Sequence, residues 1–408
     1  MITFTRFLEL AMEFSFIIFG VFILIVLIVL IIFSVNRIKK MNYQNIHDNR
    51  EQRCLSVYNN YFQMDQEPIP NGGKYFNQFF KKNKYYGLRD FYYASSYKSY
   101  LPCGSTNDIV SYNAIKNVLL NGARVINLDL FYKGFIPFAD DAEVIVGNVI
   151  NGKLSYLPDS PVSQQYLNFS NCLQIISELG WKKTEAPLFL YLNLEFEANQ
   201  KLEYQIFSQI QSKLSKRLMD KYYGFQRVNI GDIPVNKATN RLIILTNRKP
   251  VNGFLNEITN GVMATTSVNL ILYVISDKDI EYGGIKTKFP NQDGAKEITQ
   301  FNLTAVIKTN EVNENNIVSP KIDTSNYDTS ENFAIGISMT FMNWQNFPDE
   351  DDNMKKYLEN FKSGGMVLKP ASLIYEPRPL PPALQRDKQL DYVNRNVSGL
   401  NDFYNFDV

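Results

Sequence analysis

The sequence predicts an α/β fold, a (β/α) barrel of TIM type preceded by one N-terminal transmembrane helix. Three observations carry that expectation. From Gly87 onward, short apolar runs of strand length alternate with amphipathic helical stretches, the pattern of a parallel sheet with crossover helices. The chain has 408 residues, more than an average domain and enough for one barrel with extensions. Phe14 to Phe33, FSFIIFGVFILIVLIVLIIF, is an unbroken uncharged run.

As a helix that run is about 30 Å long, the thickness of a bilayer's hydrocarbon core. A cleaved signal peptide has a shorter apolar region, and a buried helix is rarely apolar on every side. Arg37, Lys39 and Lys40 follow the run, whereas Arg6 upstream is offset by Glu9 and Glu13. The positive-inside tendency then puts the large C-terminal part on the cytosolic side of a single-pass protein. There the sequons at Asn168, Asn302 and Asn396 stay unused and the cysteines reduced.

The segments in order are an N-terminal tail (1–12), the membrane helix (13–35), a polar tether (36–86), the barrel (87–376) and a Pro-rich tail (377–408). The tether is rich in Asn, Gln and Tyr, with turn signals from Pro68 to Gly73. The tail opens with EPRPLPPALQ, whose prolines favour extended polyproline II and suit presentation to a partner, or equally a chain end lying along its own barrel.

Composition excludes several function classes. Lys plus Arg (42) balances Asp plus Glu (41), so no global field draws nucleic acid. Cys54, Cys103 and Cys172 are far apart, with neither zinc spacing nor a disulfide framework. The single histidine, His47, precedes the barrel pattern. Ser/His/Asp and Cys/His arrangements and HExxH zinc sites are therefore excluded by counting, and no GxxxxGK loop or GxGxxG after a strand occurs.

The chain is organised around Ser95 to Gly134. It reads as a strand end and loop, a helix carrying Ala114, Ile115, Val118 and Leu119 on one face, and a strand from Ala123 to Phe131. Side-chain alternation puts Val125, Asn127, Asp129 and Phe131 on one face of that strand.

This stretch resembles the X box of phosphoinositide-specific phospholipase C. SSYKSYL (95–101) is similar to the family's Ser-Ser-His-Asn-Thr-Tyr-Leu, and GARVINLD (122–129) to Gly-Cys-Arg-Cys-Val-Glu-Leu-Asp. EVIVGN (143–148), PLFLYLNLE (187–195) and RLIILTNRK (241–249) resemble further X-box strands. PKIDTSNY (320–327), ISMTFMN (337–343) and GMVLKP (365–370) resemble Y-box pieces in the same order. The resemblance implies an X-like part over about 93–249, a connector over about 250–262 and a Y-like part over about 263–375.

The scaffold positions match, and most chemical positions differ. The family's two histidines correspond to Tyr97 and Gly147. Its calcium ligands correspond to Lys98, Asn127, Asp129 and Asn193, of which only Asp129 is retained. Glu195 lies on the same strand face as Asn193, so a register shift could return one carboxylate. The two headgroup lysines become Leu245 and Asn247, and the Y-box arginine becomes Lys321. Calcium wants several hard, mostly anionic oxygens, so the expectation is no cofactor and a calcium site lost, with Lys98 in the cation's place paired to Asp129.

The leading expectation is a membrane-anchored pseudoenzyme, not an enzyme, in which the barrel is a structural or interaction module. Its partners would be a lipid bilayer through residues 14–33 and a protein through the barrel loops and tail. One such role is to link a membrane to a protein coat, such as the capsid of a virus with an inner membrane. Two alternatives stay open: an active phosphodiesterase with a rebuilt site around Asp129, Lys321 and Glu195, and a lipid-headgroup binder that does not cleave.

Overall fold

The computed structural model describes residues 14–15, 18–38, 49, 52–53, 56, 86–102, 110–133, 142–147, 149–150, 153–154, 166–264, 272–276, 292–307, 326–346, 352–362 and 364–374. His47, Cys54, Cys103, Lys39, Lys40, Lys321, most of the tether and the tail 377–408 lie outside the described residues.

Helix α1, Ile18–Ile38, has 21 residues and a mean hydropathy of 3.5. It is long and apolar enough to cross a membrane, and its large apolar side chains are exposed along its length. Arg37 sits in its last turn, where a cation complements the helix dipole.

The strands are β1 (Phe91–Ser96), β2 (Val125–Lys133), β3 (Glu143–Val146), β4 (Val149–Ile150), β5 (Lys153–Leu154), β6 (Leu167–Asn168) and β7 (Leu188–Leu194). There follow β8 (Leu242–Thr246), β9 (Gly261–Ala264), β10 (Leu272–Ser276), β11 (Leu303–Ile307), β12 (Met339–Met342) and β13 (Met366–Leu368). Eight of them, β1, β2, β7, β8, β9, β10, β11 and β12, pair in that order in parallel, and β12 pairs back to β1. This is a parallel α/β barrel. Its seam is short: β1 meets β2 only at Ser95↔Val125 and Ser96↔Ile126, while Phe91 to Tyr93 pair antiparallel with β13.

The helices between strands are α2 (Tyr112–Leu120), α3 (Phe169–Leu179), α4 (Gln200–Leu214), α5 (Val235–Ala238), α6 (Gly253–Ile258), α7 (Gln292–Phe301), α8 (Ser330–Ala334) and α9 (Asn353–Glu359). α2, α3, α4 and α6 start at Ser111, Asn168, Asn199 and Asn252, whose side chains accept from backbone N–H groups of the first turn.

Alternation along the strands makes two cores. Ile126, Leu128, Leu190, Leu192 and Ile244 face outward against Ile115, Val118, Leu173, Ile206 and Ile210 of the helices. Tyr93, Val125, Phe189, Ile243, Leu303 and Met339 fill the interior. Leu88, Ile230, Ile233 and Val235 close its lower end, where the strands begin.

Two of the quoted stretches take the following places in the fold. The stretch 143–148 is outside the ring: β3 runs antiparallel on the end of β2, and β6 on β3. The stretch 250–262 is not simply a connector, because it folds as α6 and the start of β9, a ring strand between β8 and β10. Its Asn-Gly pairs cap a helix and begin a strand rather than marking only a linking loop.

Candidate functional site at the mouth of the barrel

The inward positions turn polar toward the C-terminal ends of the strands: Val125 gives way to Asn127 and Asp129 on β2, and Phe189 and Tyr191 to Asn193 on β7. Asp129 lies beside Asn193 in the β2–β7 register. Lys98, Asn127 and Asp129 are buried, Tyr97 and Asn193 are half-buried, and Glu195 stands at the exposed rim.

The loop after β1 brings Lys98 over this floor. Lys98 has φ of 44°, left-handed backbone that costs a lysine roughly 1–2 kcal/mol. Three hydrogen bonds hold it there: Lys98 N donates to Asn127 Oδ1 at 2.9 Å, Ser99 N to Asn127 O at 3.1 Å, and Leu101 N to Lys98 O at 3.0 Å. Asn127 is thus half engaged in shaping the turn.

Asp129 is the hub. Its Oδ2 accepts from the Tyr100 hydroxyl at 2.8 Å and lies 3.9 Å from Lys98 Nζ. Its Oδ1 accepts from Asn127 Nδ2 at 3.3 Å and Asn193 Nδ2 at 3.2 Å. Asn193 Nδ2 also donates to Glu195 Oε1, so both rim and floor carboxylates share one amide without any register shift. Burial and the charge of Asp129 raise the Glu195 carboxyl above its usual range, opposed by the Asn193 hydrogen bond and Lys98. Tyr97 presents its ring 5.9 Å from Lys98 Nζ. Gly147, buried beside the end of β3, donates its N–H to Asp129 O at 3.3 Å.

The remaining predicted positions do other work. Leu245 is fully buried in the barrel interior. Asn247 stitches β8 to β7: its Oδ1 accepts from Leu194 N at 2.9 Å and its Nδ2 donates to Leu194 O at 3.4 Å.

The donor set does not fit a calcium ion. One buried carboxylate already takes three neutral donors and an ammonium, and a lysine stands where an anionic oxygen is needed. The described residues hold no group of three His, Cys, Asp or Glu side chains that would hold a metal. The Tyr100 phenol is no base near neutral pH, being pushed well above its usual range, chiefly by burial and then by Asp129.

Sequence reasoning missed two parts of this region. Tyr100 lies in the quoted SSYKSYL segment, yet nothing in its spacing reveals a hydroxyl aimed at Asp129. Glu203 had a signal: it occupies the apolar stripe of α4 with Leu202, Ile206 and Ile210, where a carboxylate needs a partner. That partner is Arg248, whose Nη1 is 2.6 Å from Glu203 Oε1, while Oε2 accepts from Asn252 N at 2.7 Å. The pair ties the loop after β8 to the helix after β7.

No family model matches the chain, and no curated protein matches its sequence. Solved structures do match by fold. The crystal structure of S. officinalis PLC21 is similar with a TM-score of 0.55 and 15% identity over 71% of this chain. L. pealei PLC21 gives 0.55 and 17% over the same share. The match spans only 38% of each of those proteins. A calcium-dependent phosphoinositol-specific phospholipase C from a Pseudomonas sp. gives a TM-score of 0.40 at 9% identity, covering 65% of this chain and 92% of that one. The chain therefore carries a parallel α/β barrel similar in fold to the solved phospholipase C structures, and a helix long and apolar enough to span a membrane.

Proposed function

We propose that this protein is a membrane-anchored, catalytically silent barrel of phospholipase C type that serves as a binding platform. The observation that carries the reading is the Lys98–Asp129 pair. A tethered ammonium takes the role that a loosely held divalent cation would need, and no imidazole stands beside it among the described residues. The barrel remains a rigid scaffold whose mouth loops can be turned to binding.

Catalytic silence is tested with phosphatidylinositol vesicles and calcium: wild type releases no inositol phosphate above the blank. Calcium-dependent release that Asp129→Asn abolishes would overturn the reading. The finer proposal is that the platform links its membrane to a protein coat, such as a capsid around an inner membrane. It rests on the bilayer-length helix at one end and the Pro-rich tail at the other. Cross-linking in the native membrane or particle is expected to join mouth loops or tail repeatedly to one abundant coat protein. A barrel with no protein neighbours would contradict that role.

A further inference from the structure

The lower end of the barrel carries an unneutralised basic face. Lys182 lies in the loop that leads into β7, Lys213 and Lys216 at the end of α4, and Lys237 on α5 just before β8. All four are exposed, and none has a carboxylate partner among the described residues. Two arginines join their segments into one surface. Arg241 donates from Nη1 to Lys216 O at 3.1 Å, and Arg217 donates to Asn240 O at 3.5 Å while its guanidinium lies 4.8 Å from the Trp181 ring. Glu185, whose carbonyl accepts from Asn240 N, and exposed Glu178 and Asp220 are the carboxylates of the adjoining segments. Six cations against three carboxylates leave a net positive face.

The same face receives the chain from the anchor. Val235 N donates to Tyr86 O at 3.0 Å, Leu88 N to Ile233 O at 3.0 Å, and Gly87 bridges to Pro234. The polypeptide coming from α1 therefore enters the barrel beside α5, at the lower end, and not at the mouth. Tyr222, exposed in the same region, and Trp181 supply the aromatic side chains that favour a membrane interface.

We propose that this basic lower face docks on an anionic lipid surface, so that the barrel stands on its membrane with the mouth turned away. The docking rests on the anchor reading above. Each lysine near an anionic bilayer contributes a factor of about five to the local association, so four together contribute a factor on the order of several hundred. Tyr86, where the barrel takes up the chain, then lies on the membrane side, and the mouth is left open to a protein partner.

The test is hydrogen exchange on the full-length protein in nanodiscs of phosphatidylcholine with and without phosphatidylserine. Phosphatidylserine is expected to slow exchange at 180–186, 213–218 and 236–241 by about tenfold or more, reversibly with salt. The slowing is expected to vanish in Lys182→Gln/Lys213→Gln/Lys216→Gln/Lys237→Gln. Those side chains bear no fold-holding contact, and unchanged protection of β7 and β8 confirms that the variant is folded. Equal exchange in both lipids, or slowing at mouth segments 195–199 and 247–252 instead, would overturn the docking. Failure of the chain to enter nanodiscs would overturn the anchor and the docking with it.

Discussion

Lys98 Nζ stands 3.9 Å from Asp129 Oδ2, both side chains less than a tenth exposed, with Lys98 held in left-handed backbone. Removing one member of such a pair strands the other. Lys98→Met and Asp129→Asn are each expected to cost about 3 kcal/mol in urea unfolding, and the double variant less than their sum. Lys98→Gly, which relieves the positive φ, is expected to be about 1 kcal/mol milder than Lys98→Met. Additive single costs would contradict a coupled pair.

The Glu203–Arg248 bridge makes a separate prediction. Glu203 is fully buried and Arg248 partly so, and Arg248→Ala leaves a carboxylate in the core with only the Asn252 N–H. The expected cost is about 3 kcal/mol, whereas Arg248→Ala/Glu203→Leu recovers most of it. Faster hydrogen exchange at 195–200 and 248–253 in the single variant would show that the bridge holds the two mouth loops together.

Much of the barrel was legible because its signals are local. The helix with Ala114, Ile115, Val118 and Leu119 on one face is α2, and all four are buried. Alternation placed Val125, Asn127, Asp129 and Phe131 on one face of a strand expected over 123–131, which the structure shows from Val125 to Lys133. The 143–148 run is as apolar as a ring strand, but its antiparallel pairing on β2 depends on a partner remote in sequence. At the site, residue identities told which groups were present, and not which way they point. That Asn127 shapes the Lys98 turn and Tyr100 caps Asp129 follows from tertiary geometry alone.

Lys369, buried against the Tyr92 ring, gives a pH signature. Burial lowers its ammonium from 10.5 to about 7, with Asp90 opposing and Arg89 adding to the fall. Below about pH 7 the lysine is charged in both states, and folding bears the full desolvation cost. Between about 7 and 10.5 only the unfolded chain holds the proton, so this group's contribution to stability rises with pH, by about 1.4 kcal/mol per unit. Unfolding followed by the buried Trp344 is expected to show that rise, and Lys369→Met to remove it. An unchanged pH profile in the variant would contradict the assignment.

The most direct measurement of the central claim, that an internal ammonium and not a metal neutralises Asp129 at the mouth, is terbium luminescence on the full-length protein. Tyr100, which donates to Asp129, and Tyr97, whose ring is 5.9 Å from Lys98 Nζ, are built-in sensitisers. The account predicts no saturable signal in wild type and no competition by calcium. A one-to-one signal that calcium displaces and Asp129→Asn abolishes would contradict it.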